Sequence, residues 1–460
     1  MLTGFDNEGT PQPALVGGVL TVNGSGSITA GTVDMNLSNT AGVQTNSVTA
    51  GTYSIGSDHR GCMAITTSAG TQNYRFSVGN ITSGVASTGH MIDFDSTGPF
   101  TSGVLRKQDT SAFSTSQVTG KYAFGISAPQ NTNNGGKFGA VGVLNLSTGS
   151  ITGGEVDYNQ AGSVDGSLTA FPASPASITS GSYSIGSNGR GTLSFLPPGN
   201  NSNTVSTEIY VVSATDVLVM SGDDQTQNSI FAGELLQQSG SFSASTMSGN
   251  YILPLSGQDG LSSTDVTLIR LNASGGNLSA TVEDNSGGSF SSKTGSGTYT
   301  VASTGRSLWT LAGSTNNLVV YLVNANEGFF LNSDGGVESG VLLSQTGSPF
   351  SASSASGSYA FGTVAADASA VSDSSGVAVF DGVSAITGAS DDNSGGSLSI
   401  GNPISQSYTI DSTGLGLSPS GCTIGATSTT CSTIIYVISP TKAVVLDPTS
   451  TNPGIQIGDK

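Results

Sequence analysis

The residues that could carry out chemistry are few, and they include only two histidines. His59 and His90 are the histidines of a 460-residue chain. A Ser-His-Asp triad or a catalytic zinc site needs imidazoles held in place by partner residues. His59 occupies a turn position that glycine fills in related segments, and His90 begins an apolar run, TGHMIDF. The sequence therefore predicts no catalytic residue and no enzymatic activity.

Carboxylates recur at a regular position and offer a second kind of chemistry. In four segments an aspartate follows an isoleucine or leucine at an offset of six, with an asparagine close by. These aspartates are Asp34, Asp157, Asp284 and Asp392. Such oxygen ligands suit a weak Ca²⁺ site, but a strand-end aspartate also caps its own turn. We expect turn caps, with Ca²⁺ as the alternative, and we expect no other cofactor.

The three cysteines bear on the compartment in which the protein works. Cys422 and Cys431 bracket a polar turn, TIGATSTT, between two strands, so they can face each other across a hairpin. We predict a disulfide between them, which implies an oxidising location. Cys62 is left unpaired, and strand parity places it on an outward face, where it is a candidate for an intermolecular thiol contact.

Composition excludes several classes of partner. The chain has 12 Lys and Arg against 30 Asp and Glu, a formal net charge of −18. A nucleic-acid binder needs clustered cations, and so does attachment to an anionic membrane surface. No apolar stretch of about 18 residues occurs, so no direct membrane span is expected. The opening MLTGFDNEG has no features of a signal peptide.

Internal repetition organises the whole chain. The phrase GTYSIGSDHRG at 51–61 returns three times in diverged form, at 181–191, 297–307 and 406–416. A second phrase, TGKYAFG from Thr119, also recurs, and a phenylalanine precedes its tyrosine by nine residues each time. We expect these residues to form the joints between repeats. The pairs are Phe113 and Tyr122, Phe242 and Tyr251, and Phe350 and Tyr359.

Each repeat is predicted to be a small β-domain. In the second copy, runs such as AVGVLNL and EIYVVS alternate with polar turns and give about eight short strands. The fold class is therefore all-β: four tandem antiparallel β-barrels or β-sandwiches, arranged as beads on a string. The predicted domains are 1–118, 119–247, 248–355 and 356–460.

The first domain is expected to lack its first strand, since MLTGF stands where the other copies have a longer segment. Two interpretations remain open. The chain is a segment of a longer array, or a neighbouring chain supplies the missing strand to a polymer.

The phrases Y-A-F, G-S-I-T-G-G-x-V-D-x-N and G-x-Y-x-I-x-S-x-G-R-G together resemble repeats of large secreted or surface-attached proteins of soil bacteria, acidobacteria especially. The resemblance covers essentially the whole chain, but its motifs are turn glycines and core tyrosines, and it carries over no active site. Arg60, Arg190 and Arg306 of the third motif are expected to brace a turn, and Leu415 replaces them in copy 4.

These observations favour a non-enzymatic extracellular structural protein at the cell surface: a stalk, an adhesin or a subunit of a fibre or filament. Its expected partners are itself or other surface proteins. The alternative is an array of ligand-binding modules for carbohydrate or Ca²⁺ on the cell surface. Glycans stay open as ligands, although the single tryptophan, Trp309, is expected to point inward.

Overall fold

A computed structural model of the chain describes residues 1–6, 12–37, 40–131, 136–166, 168–196, 204–224, 229–259, 263–314, 317–363, 372–451 and 453–460. These residues form four antiparallel sheets in tandem, one per repeat, and two short 3-10 helices, Thr110–Ala112 and Ala352–Ala355. The predicted all-β fold is confirmed: three of the sheets close into barrels, and the fourth, called barrel 4 below, follows the same strand order without pairing between its two end strands. Among the described residues, no helix has both the length and the apolar character needed to cross a membrane.

Barrel 1 is a closed barrel of eight strands. Its strands are β1 (Leu2–Phe5), β2 (Pro13–Val22), β3 (Ile28–Asn36), β4 (Gln44–Ile55), β5 (Arg60–Thr67), β6 (Gly70–Thr82), β7 (Val85–Asp93) and β8 (Phe100–Arg106). Buried and half-buried residues alternate along β5, as side chains of successive strand residues point to opposite faces. Met63 and Ile65 face the core, and Cys62 faces outward.

The first strand of barrel 1 is present, which corrects the expectation that repeat 1 lacks it. β1 pairs with β2 on one side and with β8 on the other, so barrel 1 has no open edge. Leu2 pairs with Gly103 as Ile126 pairs with the equivalent Gly233. β1 therefore corresponds to the later residues of the first strand of barrel 2. The Tyr-Ala-Phe phrase, which marks this strand in the other repeats, lies at its earlier residues, Tyr122 to Phe124.

Barrel 2 has the same eight-strand order plus two short additions. Its strands are β9 (Gly120–Asn131), β10 (Gly136–Ser147), β11 (Ser150–Gln160), β12 (Ser163–Val164), β13 (Ala176–Ile178), β14 (Gly181–Ile185), β15 (Arg190–Phe195), β16 (Val205–Ser213), β17 (Asp216–Ser221) and β18 (Ala232–Gln237). β12 and β13 both pair with β11. Pairing of β10 with both β9 and β11 closes the barrel.

Barrel 3 is again closed, with eight strands. They are β19 (Gly249–Asp259), β20 (Ser263–Ser274), β21 (Asn277–Ser286), β22 (Ser289–Val301), β23 (Arg306–Leu311), β24 (Asn317–Leu322), β25 (Glu327–Asn332) and β26 (Ser339–Ser344). Its core contains the buried Trp309, packed edge-on against Phe330 with ring centroids 6.0 Å apart.

Barrel 4 is a nine-stranded sheet that follows the same order. Its strands are β27 (Gly357–Thr363), β28 (Ser372–Phe380), β29 (Ala385–Ser394), β30 (Ser397–Ser407), β31 (Thr409–Ile410), β32 (Leu415–Ser418), β33 (Thr433–Ser439), β34 (Lys442–Leu446) and β35 (Ile455–Asp459). β30 and β31 end the sheet, and only Tyr408 separates them in the chain. Together they take the place of the unbroken β22, and β35 pairs with both β27 and β34.

The four barrels contact one another in a closed cycle rather than in an open string. β2 contacts β16 of barrel 2, β10 contacts β24 of barrel 3, and β19 contacts β33 of barrel 4. β27 and β28 of barrel 4 then pack on β6 and β7 of barrel 1. The tandem order along the chain is as predicted. The string of barrels is also closed on itself, because barrel 4 packs on barrel 1.

Apolar side chains fill three of the four junctions. Leu15 of barrel 1 joins a buried cluster with Tyr210, Leu218 and Met220 of barrel 2. Comparable clusters join barrel 2 to barrel 3 and barrel 3 to barrel 4. The junction between barrels 4 and 1 contains small and polar residues, which places a different chemistry at the closing contact.

Candidate functional site

The residues that recur in the sequence lie at two kinds of place, the ends of the barrels and the junctions between them. The linkers provide the first. Phe113 packs against the core of barrel 2, and a Cβ on Gly189 would overlap its ring. Gly189 has a φ of 81°, so glycine there serves both the turn and the packing. The linker before barrel 2 therefore covers one end of that barrel.

The same arrangement recurs in barrels 3 and 4. Phe242 lies at Gly305, and Phe350 lies at Gly414. The predicted joint role thus has a definite geometry, with each phenylalanine docked on the following copy. Barrel 1 has His59, with a φ of 65°, where the others have this glycine.

The tyrosines predicted as joint residues lie instead inside the barrels that follow. Tyr122, Tyr251 and Tyr359 are almost completely buried in the cores of barrels 2, 3 and 4. Their side-chain hydroxyls donate to backbone carbonyls within the same barrel, as Tyr251 does to Ala325 at 2.9 Å. Their positions in the sequence suggest joint residues because each lies at the start of a barrel, directly after a linker. Their role is to close the barrel end from within.

A glutamine that the sequence analysis left without a role fixes each linker to the next barrel. Gln238 Nε2 donates to the carbonyl oxygens of Thr304 and Leu322 at 2.8 and 2.7 Å. Gln345 makes both equivalent contacts, to the carbonyl oxygens of Thr413 and Val437, and Gln108 makes one, to that of Val211. The available signal was a glutamine four or five residues before each linker phenylalanine.

The recurrent aspartates and arginines meet at the junctions. Asp34 of barrel 1 is fully buried and accepts from Arg190 Nε and Nη2 at 2.7 and 2.9 Å. Tyr210 also donates to Asp34, at 2.8 Å. The hydrogen bond to Asp34 raises the pKa of Arg190, and burial raises that of Tyr210, so both remain donors at neutral pH. Arg190 thus anchors its barrel to the previous one, besides standing at a turn.

Barrels 2 and 3 repeat this junction. Asp157 accepts from Arg306 Nε and Nη2 at 2.6 and 2.7 Å, and from Tyr321 at 2.7 Å. Both charged side chains are buried, Asp157 completely and Arg306 to all but 5%. Planar two-point pairing of this kind fixes orientation as well as distance. The junction therefore holds the two barrels at one angle.

An asparagine two residues after each junction acid reinforces the contact. Asn159 Nδ2 donates to the backbone carbonyls of Asn332 and Asp334 in barrel 3, at 2.9 and 2.7 Å. All four asparagines are fully buried and reach two carbonyls of the neighbouring barrel in this way. They are Asn36, Asn159, Asn285 and Asn393.

The junction between barrels 3 and 4 has the acid without the arginine. Glu283 accepts from Tyr436 at 2.8 Å, and Leu415 stands at the arginine position. Burial, opposed by the Tyr436 hydrogen bond and the charge of Arg270, raises the pKa of Glu283 to about 7. The site is therefore a buried carboxyl group that can take up a proton near neutral pH.

The fourth junction closes the cycle. Arg60 Nη1 donates to Asp391 Oδ1 at 2.7 Å, and Arg60 Nε donates to Asp58 in its own turn at 2.8 Å. Asn393 donates to the carbonyls of Asp93 and Asp95 at 3.1 Å each. Barrel 4 thus binds barrel 1 with the residues that join the other pairs.

Two of the four predicted aspartates are not the junction acids. In repeats 3 and 4 the acids are Glu283 and Asp391, five residues after Leu278 and Ile386. A β-bulge in β3 and another in β11 each insert one residue before the acid in repeats 1 and 2. In all four repeats the junction acid lies two residues before the buried asparagine, so the asparagine marks its position and the preceding isoleucine or leucine does not.

Asp284 and Asp392 bond within their own barrels. Asp284 accepts from Ser291 at 3.3 Å, and Asp392 accepts from Ser374 at 2.6 Å. Among the described residues, no three His, Cys, Asp or Glu side chains are grouped as metal ligands. The Ca²⁺ alternative remains a hypothesis, for which Asp34 and Asp157 would have to exchange their arginine partners for the ion.

Charged side chains also surround the small-residue contact between barrels 4 and 1. Gly362 lies directly against His90, whose Nε2 is 3.5 Å from Asp459 Oδ2, an ion-pair distance. Although burial opposes it, the interaction with His90 and the charge of Lys442 lower the pKa of Asp459 to about 2. Burial raises the pKa of Asp373 to about 7. The closing junction therefore contains several buried titratable groups beside its small residues.

The cysteines are placed as follows. Cys422 and Cys431 form the predicted disulfide, with Cα atoms 5.0 Å apart. Cys62 is half-buried on the outer face of barrel 1, with Sγ 3.2 Å from Ser54 Oγ. The intermolecular role of Cys62 stays a prediction.

Comparison with known proteins gives little further information. No family model matches the chain, and no curated protein matches its sequence. Among solved structures, a transferrin binding protein B double mutant from Haemophilus parasuis Hp5 is 12% identical and covers 82% of this chain and 83% of its own, with a TM-score of 0.18. A DUF3598-family protein of unknown function from Nostoc punctiforme PCC 73102 is 12% identical and covers 52% and 98%, with a TM-score of 0.15. At these TM-scores neither likeness carries an argument.

Proposed function

We propose that the protein is a non-enzymatic extracellular structural protein, a rigid four-barrel unit of a surface fibre or adhesin. One observation carries the proposal: the recurrent acids, arginines and asparagines are used to bind barrel to barrel, up to the Arg60–Asp391 contact that closes the cycle. Groups held in buried two-point contacts serve geometry, and they are not available as nucleophile or base.

Two further features support a location outside the cell. The Cys422–Cys431 disulfide persists in oxidising compartments and is rare in the cytosol of most organisms. The chain also offers only 12 Lys and Arg as tryptic sites, and tightly paired β-barrels open rarely enough to resist proteases. Both properties suit a surface structure exposed to the environment.

Self-association or attachment to other surface proteins is the proposed mode of action. Because β1 and β35 are each paired on both sides, neither strand offers a free edge for strand exchange between chains. Assembly would instead use the outer faces of the barrels. The half-buried Cys62 makes the outer face of barrel 1 the first candidate. A linear stalk built from the barrels of one chain does not fit the closed cycle.

Electron microscopy of the purified protein at low and high concentration tests this proposal. Regular filaments or sheets at high concentration would support a fibre subunit, and Cys62→Ser, compared with wild type, separates thiol-dependent assembly from the rest. Discrete particles at both concentrations, together with enzymatic turnover or with binding in a glycan or Ca²⁺ titration, would overturn it. Binding would then favour the alternative of a ligand-binding array.

A further inference from the structure

The interior of barrel 4 contains a cavity of about 240 Å³. Most of its wall is apolar and includes Phe361, Phe380, Ile404 and Ile435. An engineered apolar cavity of about 150 Å³ is large enough to bind benzene, so this volume suits a fused two-ring molecule.

Four core positions of barrel 4 have smaller side chains than the equivalent positions of barrel 3. Trp309 pairs with Leu318 as Ser418 pairs with Thr433, so serine replaces tryptophan at that position. The same comparison of registers gives Ala378 for Leu271, Val445 for Phe330 and Gly458 for Leu342. Two aromatic residues of the cavity wall are larger than their equivalents, Phe380 for Ala273 and Phe361 for Leu253, and they only partly refill the space.

Polar side chains gather at one end of this cavity. Ser374, Thr433 and Gln456 stand near the starts of their strands, at the end of the barrel remote from Phe350. Gln406 lies with them and accepts a hydrogen bond from Ser418 at 2.7 Å. The cavity is therefore amphipathic, with an apolar body and a hydrogen-bonding end.

An unfilled space of this size lowers the stability of a core, because the atoms lining it lose their packing partners. The other end of the barrel is built for tight closure, since Phe350 and Tyr408 pack there in a buried cluster. A cavity with an apolar body and polar groups at one end is the arrangement found in small-molecule sites.

We propose that barrel 4 binds a small, mainly aromatic or aliphatic molecule with a single hydrogen-bonding group, of about the size of a naphthol. The apolar part lies between Phe361, Phe380 and Ile435, and the polar group faces Gln406 and Gln456. This binding goes beyond the structural role and does not depend on it.

Titration of the full chain with 2-naphthol, followed by the fluorescence of the probe and by calorimetry, tests the site. We expect saturable one-to-one binding by the wild type. Ala378→Leu, which restores the leucine of barrel 3, should weaken binding at least tenfold while raising the melting temperature. Val379→Leu, at a 40% exposed residue next in the strand, is the matched control and should bind like the wild type.

A second variant keeps the proposal testable if Ala378→Leu fails to fold. A Cβ on Gly458 would lie 3.4 Å from Tyr359 Cβ, an ordinary contact, so Gly458→Ala should fold and weaken binding several-fold. Absence of saturable 2-naphthol binding by the wild type would overturn the proposal. So would equal affinity in Ala378→Leu, Gly458→Ala and the Val379→Leu control.

Discussion

Arg60 and Asp391 are 331 positions apart in the chain, yet Arg60 Nη1 lies 2.7 Å from Asp391 Oδ1. The same acid–arginine pair joins barrel 1 to barrel 2 and barrel 2 to barrel 3. One contact pattern thus serves both sequential neighbours and the two ends of the array. The four barrels form a cycle because each has a buried acidic residue on one side and, on the other, the arginine or tyrosine that binds the acidic residue of its neighbour.

Opening the closing junction should expand the molecule. Arg60→Ala combined with Asn393→Ala removes the salt bridge and both asparagine hydrogen bonds between barrels 4 and 1. We expect each barrel to stay folded and the radius of gyration, measured by small-angle X-ray scattering, to increase. Lys293→Ala, at an exposed position of barrel 3, is the control. An unchanged radius would mean that packing alone closes the cycle.

Loss of the buried arginine between barrels 2 and 3 should be costly. Arg306→Leu leaves Asp157 buried with Tyr321 as its side-chain partner, and breaking such a pair costs about 3–5 kcal/mol. Urea unfolding at neutral pH, followed by Trp309 fluorescence, measures the loss, since Trp309 lies in barrel 3.

Arg190→Leu provides the comparison for this experiment. The Arg190 side chain is 21% exposed, against 5% for Arg306, so solvent screens its ion pair more and its loss should cost less. Equal losses of unfolding free energy for the two variants would contradict the assigned role of the Arg306–Asp157 pair.

Neutralising Glu283 should stabilise the protein above neutral pH. The pKa of Glu283 is raised from 4.5 to about 7 by burial, so the folded state binds the proton more tightly. Its contribution is fully present below pH 4.5 and is lost as the pH rises through 7, by roughly 3 kcal/mol at most. Glu283→Gln should therefore raise the free energy of unfolding at pH 8 and change it little at pH 4.

Asp34→Asn is the matched control for Glu283→Gln. It neutralises the equivalent acid, but one that has an arginine partner, so it should destabilise the protein at pH 8. Denaturant titrations at the two pH values compare the variants. Destabilisation by Glu283→Gln at pH 8 would contradict this prediction, because it would show that the folded state is stabilised by the charged carboxylate of Glu283.

Reduction of the disulfide should weaken barrel 4. Cys422 and Cys431 close a short loop, nine residues apart, and a disulfide of this kind contributes about 2–3 kcal/mol. Cys422→Ser with Cys431→Ser should lower the melting temperature and make it insensitive to reductant. Cys62→Ser, measured by the same calorimetry, should leave the response to reductant intact. A double variant that melts like the wild type would remove the bond from the sources of stability.

The sequence was sufficient for the repeats and the strands but not for the cycle. Alternation of apolar residues predicts strands directly, and the Tyr and Gly phrases mark repeat ends. The partner of Asp34 is 156 residues away at Arg190, and no local pattern reports that distance. The bulge in β3 also shifted the count to the junction acids by one residue, a change in strand register that composition does not reveal.

Packing of the linker phenylalanine can be separated from turn geometry by two alanine substitutions. Gly189 and Gly240 have φ values of 81° and 90°, so alanine strains the backbone similarly at both. Gly240 has no atom within 4 Å of its Cβ position, whereas Gly189 faces the Phe113 ring. Gly189→Ala should therefore lower the free energy of unfolding by about 1–3 kcal/mol more than Gly240→Ala, as overpacking does. Equal losses in denaturant titrations would show that Phe113 moves away freely and does not seal barrel 2.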